Sequence, residues 1–246
     1  MLNIILLLIL ITYQIIMSVM DVHDMKKYKK IEITEKVKLH FYKEAIIYLW
    51  IPILIIGVFT FIGDFGVQEL GLRKITLGSN IWLNVITLIA SLMILCILIY
   101  QVVLYFINDK YREELAIEIE RRRASKDHYE RVTTSLVIPG TIKEKQIYFF
   151  VSLSAGICEE VIWRGCLLYL LADIFPSLPF VVIGGIACIL FGLFHCYQGW
   201  YGILKTGFWA ILFVLIYWVT DSLILGIVLH FLFDFSSAFM VREKTI

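Results

Sequence analysis

Long apolar runs separated by short charged blocks dominate the chain. Seven runs stand out, at about 2–20, 44–63, 80–108, 147–172, 179–198, 203–220 and 222–241. Most reach the ~20 residues that a helix rising ~1.5 Å per residue needs to cross ~30 Å of hydrocarbon. The pattern predicts an all-α, polytopic transmembrane helix bundle. About seven spans are expected, with six to eight compatible with the soft boundary between the last two runs. No period of 20–50 residues recurs along the chain. The first run lacks a basic leading segment and an Ala-x-Ala-like cleavage site, so it reads as a retained helix rather than a signal peptide.

Composition agrees with the pattern. Hydrophobic residues make up 60% of the 246, well above a soluble domain, and the charged 17% fall between the runs. Mean hydropathy is +0.85. The net charge of +1 carries no message about partners, and nothing in the sequence suggests nucleic acid. Cys96, Cys158, Cys166, Cys188 and Cys196 all sit in apolar segments without CxxC spacing, which argues for packing roles and against a disulfide framework.

Placement of the basic residues predicts orientation. Seven lysines lie between 21 and 43, and nine basic residues between 109 and 146. With seven alternating spans these fall on one side together with Lys205, Arg242 and Lys244, leaving Arg73 and Lys74 on the other. The expected topology is multi-pass in the cell membrane, with the N-terminus outside and the C-terminus cytoplasmic. The predicted organisation is 1–146 as N-terminal spans with two basic loops, 147–241 as a catalytic membrane domain, and 242–246 as a short tail. Asp109 to Arg131 reads as a charged helix continuing from the third span, and Pro139-Gly140 breaks the chain before the fourth.

Six ionisable residues lie within the predicted spans away from their ends, all in the C-terminal half: Glu159, Glu160, Arg164, His195, His230 and Asp234. A charge inside a bilayer costs several kcal/mol, so such residues are paired or functional. Glu160 and Arg164 are four apart, as are His230 and Asp234, and each pair shares a helix face. Glu159 points about 100° away from Glu160 and has no partner at pairing distance. Counted at 1.5 Å per residue, Glu159 and His230 lie about 17–18 Å deep, near mid-membrane.

A carboxylate beside an imidazole in a low-dielectric site can hold and deprotonate a water, and a second polar pair can stabilise a tetrahedral oxyanion. That combination amounts to water-mediated amide hydrolysis. Ser152 and Ser154 are near, but span four offers them no histidine, and neither a nucleophile elbow nor a His-Glu-x-x-His helix is present. Glu159, His195, His230 and Asp234 also make a plausible ligand set for a divalent metal such as zinc, which the sequence allows without requiring.

Glu159-Glu160-x-x-x-Arg164-Gly165, Phe191-x-x-x-His195 and His230-x-x-x-Asp234, in that order over successive spans, resemble the CPBP family of intramembrane proteases, also called the CAAX protease or Abi family. The resemblance covers about 147–240. It implies that Glu159 with His195 activates water, that His230 and Asp234 stabilise the oxyanion, and that Glu160 and Arg164 brace the site. The family carries Asn or Asp at the last position. Asp234 donates a hydrogen bond only if protonated, and would otherwise orient His230 or bind a metal. The implied substrate is a membrane-embedded or membrane-associated peptide or protein at the lipid bilayer. A non-catalytic bacteriocin-immunity or regulatory scaffold is the alternative within the family. A proton-coupled transporter would bring inverted repeats, which are not evident.

Overall fold

The computed structural model describes residues 1–63 and 65–240; the predicted tail at 242–246 lies outside the described residues. All regular structure among these is helical. Ten α-helices follow in order: α1 Leu2–Tyr28, α2 Glu35–Ile62, α3 Ile81–Ile107, α4 Asp109–Arg123, α5 His128–Val137, α6 Ile142–Glu160, α7 Leu168–Ile174, α8 Phe180–Phe194, α9 Gly199–Thr220 and α10 Ile224–Ser236. Each apolar run falls on one of these helices or on the α6–α7 pair. Four helical stretches are long and apolar enough to cross a membrane: Leu2–Tyr28, Glu35–Ile62, Ile81–Ile107 and Cys196–Thr220. Phe180–Phe194 and Ile224–Phe239 are apolar but shorter.

The core belongs mainly to the C-terminal half. Cys158, Ile162, Cys166, Leu170, Ala187 and Val214 pack there against Leu6, Leu10 and Ile56 from α1 and α2. By contrast α3 leaves Trp82, Ile86, Ile89, Leu92 and Met93 exposed. A helix whose own hydrogen bonds are satisfied and whose apolar side chains stay uncovered is suited to face lipid.

Close backbone approach sets the spacing of the inner helices. A Cβ at Gly156 of α6 would meet Phe231 N of α10 at 2.9 Å and Ile227 O at 3.0 Å. A Cβ at Gly192 of α8 would meet Ile203 O of α9 at 2.8 Å. Small residues at such crossings let helices pack without a layer of side chains between them.

Three departures from the sequence expectation bear on the site. Asn108 is extended and its side chain caps α4 through Tyr111 N, so the charged helix is a separate element and does not continue α3. It then stops at Arg123 and restarts at His128, where Asp127 caps α5. α1 runs past Met20 to Tyr28, carrying Asp21 and Asp24 inside the helix. Finally, α6 and α7 are joined by a π-helical turn, Val161–Leu167, immediately after Glu160. Such widened turns recur at functional sites, and no propensity rule marks them.

The loop between α2 and α3 is pinned to the connection between α9 and α10. Thr76 N donates to Thr220 O at 2.8 Å, Leu223 N to Gly71 O at 2.9 Å, and the Ser222 hydroxyl to Arg73 O at 2.6 Å. Arg73 also pairs with Asp221. Gly71 has φ +82, and a Cβ there would strike the Tyr217 ring at 2.5 Å.

Candidate active site

Glu160 sits one helical turn above Gly156, so the tight α6–α10 crossing delivers its carboxylate to His230. Glu160 Oε1 lies 2.9 Å from His230 Nδ1. The same oxygen is 3.2 Å from Arg164 Nη1. Both Glu160 and Arg164 are 1% exposed. A carboxylate accepts, so Nδ1 of His230 carries a proton and donates. Glu160 therefore does more than pair with Arg164: it fixes the imidazole as well.

Two aromatic rings enclose the arginine. Its guanidinium carbon is 4.6 Å from the centroid of Phe191 and 5.3 Å from that of Phe213. Stacking on ring faces is favourable for this weakly hydrated cation. The same rings touch the histidines: Phe191 lies 4.5 Å from His195 and Phe213 lies 5.1 Å from His230, centroid to centroid. The Glu160–Arg164 pair thus supports both imidazoles, one by a hydrogen bond and each by a shared aromatic neighbour. Phe213 carries no motif signal in the sequence.

The other face of His230 is left open. Its Nε2 is 3.8 Å from Glu159 Oε2 and 3.7 Å from Asp234 Oδ2. Both exceed the ~2.7–3.2 Å of a hydrogen bond. Asp234 does not orient His230 by a hydrogen bond; Glu160 holds that role. His195 caps α8, with Nδ1 at 2.7 Å from Phe191 O. A carbonyl only accepts, so in the neutral ring Nδ1 holds the proton and Nε2 is a free base.

Glu159, His195, His230 and Asp234 line one cavity of about 470 Å³. Glu160 and Arg164 stand behind it. Six residues from three predicted spans are therefore one constellation, with four at the cavity and two bracing. The sequence reading missed Gly156, the π turn, Phe213 and the contribution of α1, which brings Tyr13, Gln14, Asp21 and Asp24 to the cavity wall.

A zinc ion would need three or more ligands converging at about 2.0–2.2 Å for nitrogen and oxygen. Nδ1 of His230 is engaged by Glu160 and Nδ1 of His195 by Phe191 O, which leaves Nε2 of each ring as its remaining donor atom. Among the described residues no group of three or more His, Cys, Asp or Glu is arranged to hold a metal ion.

Residues 143–236 match the family described as type II CAAX prenyl endopeptidase Rce1-like. These 94 residues, fewer than half of the 246, are similar to that family. The match spans the whole constellation and excludes α1 to α5. Comparison with curated proteins and with solved structures gave no match. The wall formed by α1 and α2 lies outside the matched segment.

Proposed function

We propose that the chain is an intramembrane endopeptidase that hydrolyses a peptide bond of a membrane-associated peptide or protein. The observation that carries this reading is the shared cavity: a carboxylate, two imidazoles and a second carboxylate face one space, with their orienting partners behind them. In this reading Glu159, aided by the free Nε2 of His195, takes a proton from a water. The water oxygen then attacks the scissile carbonyl carbon. His230, as imidazolium, donates from Nε2 to the resulting oxyanion while Nδ1 stays bonded to Glu160. Asp234 lies beside that donor. Collapse of the tetrahedral intermediate returns the proton to the leaving amine. Preoriented donors of this kind lower the barrier without reorganising during the reaction.

The seven-span topology with a cytoplasmic C-terminus belongs to the same proposal. The clustering of basic residues between 21 and 43 and between 109 and 146 supports it.

The test replaces Glu159 with alanine. Membrane peptides from cells making the original protein and from cells making Glu159→Ala at equal level are compared by mass spectrometry. Loss of a general base slows a reaction by about 10²–10⁴-fold. Cleavage products present with the first protein should vanish with the second. Identical peptide sets, with the biological role intact in Glu159→Ala, would instead mark a scaffold.

A further inference from the structure

The cavity has a second charged feature, away from Glu159. α1 contributes Asp21 and Asp24 to its lining, and α2 contributes Glu44. Asp21 and Asp24 have no hydrogen bond or ion pair among the described residues; Glu44 is 3.3 Å from His40. Two hydroxyls on the same lining are also unpartnered. Tyr28 is 7% exposed and Thr134 8%, and neither side-chain oxygen has a hydrogen bond among the described residues. Nearby Tyr42, just as buried, does bond, to Val137 O at 3.1 Å. Both hydroxyls, like the unpaired carboxylates beside them, line the cavity and are available to an occupant.

The charge of the lining identifies that occupant. Its cations are Arg122, engaged by Glu118 at 2.8 Å, Lys205 on α9 and, on the proposed mechanism, His230. Carboxylates outnumber them. Tyr197, Asp21, Glu159 and Asp234 line the same cavity, so the acidic wall and the catalytic groups share it. A cleft with apolar walls and one prevailing sign of charge concentrates ligands of the opposite sign. A volume of about 470 Å³ suits a short extended segment.

We infer that Asp21 and Asp24, with Tyr28 and Thr134, form a subsite for a lysine or arginine side chain of the peptide substrate. The hydroxyls meet polar groups of the peptide beside that side chain. This rests on the endopeptidase reading for the word substrate. It deepens that reading by naming a specificity determinant outside the matched segment.

The full chain carrying Glu159→Ala, in phosphatidylcholine nanodiscs, is offered three pools of short peptides. The pools share randomised apolar flanks and carry a central Lys-Lys, Gln-Gln or Glu-Glu pair. Bound peptides are quantified by mass spectrometry. Lys-Lys peptides should be retained at least tenfold over Glu-Glu peptides, with Gln-Gln between. Adding Asp21→Asn and Asp24→Asn should bring that ratio to within about twofold while Gln-Gln retention is unchanged. Retention without charge preference, no retention of any pool, an equal loss of all pools in the double variant, or a preference that survives it would each overturn the subsite. Loss of Lys-Lys retention when phosphatidylethanolamine replaces phosphatidylcholine would assign the wall to a lipid headgroup and overturn it as well. The same pools incubated with the Glu159 protein separate the two ideas. Selective binding without hydrolysis leaves the subsite and removes the endopeptidase. Hydrolysis without selectivity does the reverse.

Discussion

The chemistry of the site depends on one residue that has no chemistry of its own. Gly156 lets α10 approach α6 until Glu160 reaches His230. Gly156→Ala puts a methyl group 2.9 Å from the Phe231 amide nitrogen, against backbone that cannot rotate away. Overpacking of this kind costs about 1–3 kcal/mol. The expected outcome is a lowered thermal midpoint and loss of cleavage together, read by unfolding in detergent and by the peptide assay. Gly185→Ala in α8 is the control: nothing lies within 4 Å of its added methyl, and removing a helical glycine should leave stability unchanged or raised. At this scale much was legible. The four-residue spacing foretold the Glu160–Arg164 contact, now seen at 3.2 Å. The same spacing in His230–Asp234 gave a 3.7 Å separation instead, because the imidazole turns to Glu160. That turn depends on a contact between helices seventy residues apart, which no local pattern encodes.

At the scale of elements, a buried latch joins the start of α2 to the start of α6. Lys38 Nζ donates to Ile138 O at 2.7 Å and pairs with Glu144. Glu144 also accepts from Gly140 N at 2.6 Å and completes a capping box with Thr141. Lys38 is 5% exposed and Glu144 3%. Glu144→Ala leaves the lysine buried and unpaired, at a cost of about 3–5 kcal/mol. Unfolding in detergent should show that loss, and Lys38→Met with Glu144→Leu should recover part of it. The apolar runs located the helices because a bilayer-length run has few alternatives. Their interruptions were harder to see. Asn108 is one polar residue between two helical stretches, and only its cap to Tyr111 reveals the break. The π turn after Glu160, Val161–Leu167, matches no periodic pattern in the sequence. The extension of α1 through Asp21 and Asp24 contradicts polarity alone; the helix continues because those side chains face a cavity.

For the whole molecule, the proposed topology separates the basic loops from the α2–α3 loop. Lys126 and Lys74 are both exposed and stand on opposite sides in that scheme. In a background with the native cysteines replaced by alanine, Lys74→Cys should react with a membrane-impermeant maleimide on intact cells. Lys126→Cys should react only after permeabilisation. Equal labelling of both on intact cells would remove the orientation. The positive-inside argument was available from sequence because it needs only the order of charged blocks. The architecture of the cavity was not, because it depends on α1 and α2 closing over helices encoded more than a hundred residues later.

The pinned α2–α3 loop has a consequence for biosynthesis. Its partners, Val219 to Leu223, are made about 145 residues after it, and His230 follows them. A nascent chain that has inserted α1 through α9 holds Glu159 and His195 without the imidazole that Glu160 orients. Val219 and Thr220 at the end of α9 can already meet the loop, but Ser222 and Leu223 join them only when the α9–α10 connection has been made. Docking of α10, which begins at the next residue, Ile224, then completes the site. Hydrolytic competence, on the proposed reading, arrives only with the finished fold, so unfinished chains in a crowded membrane are not yet able to cut their neighbours.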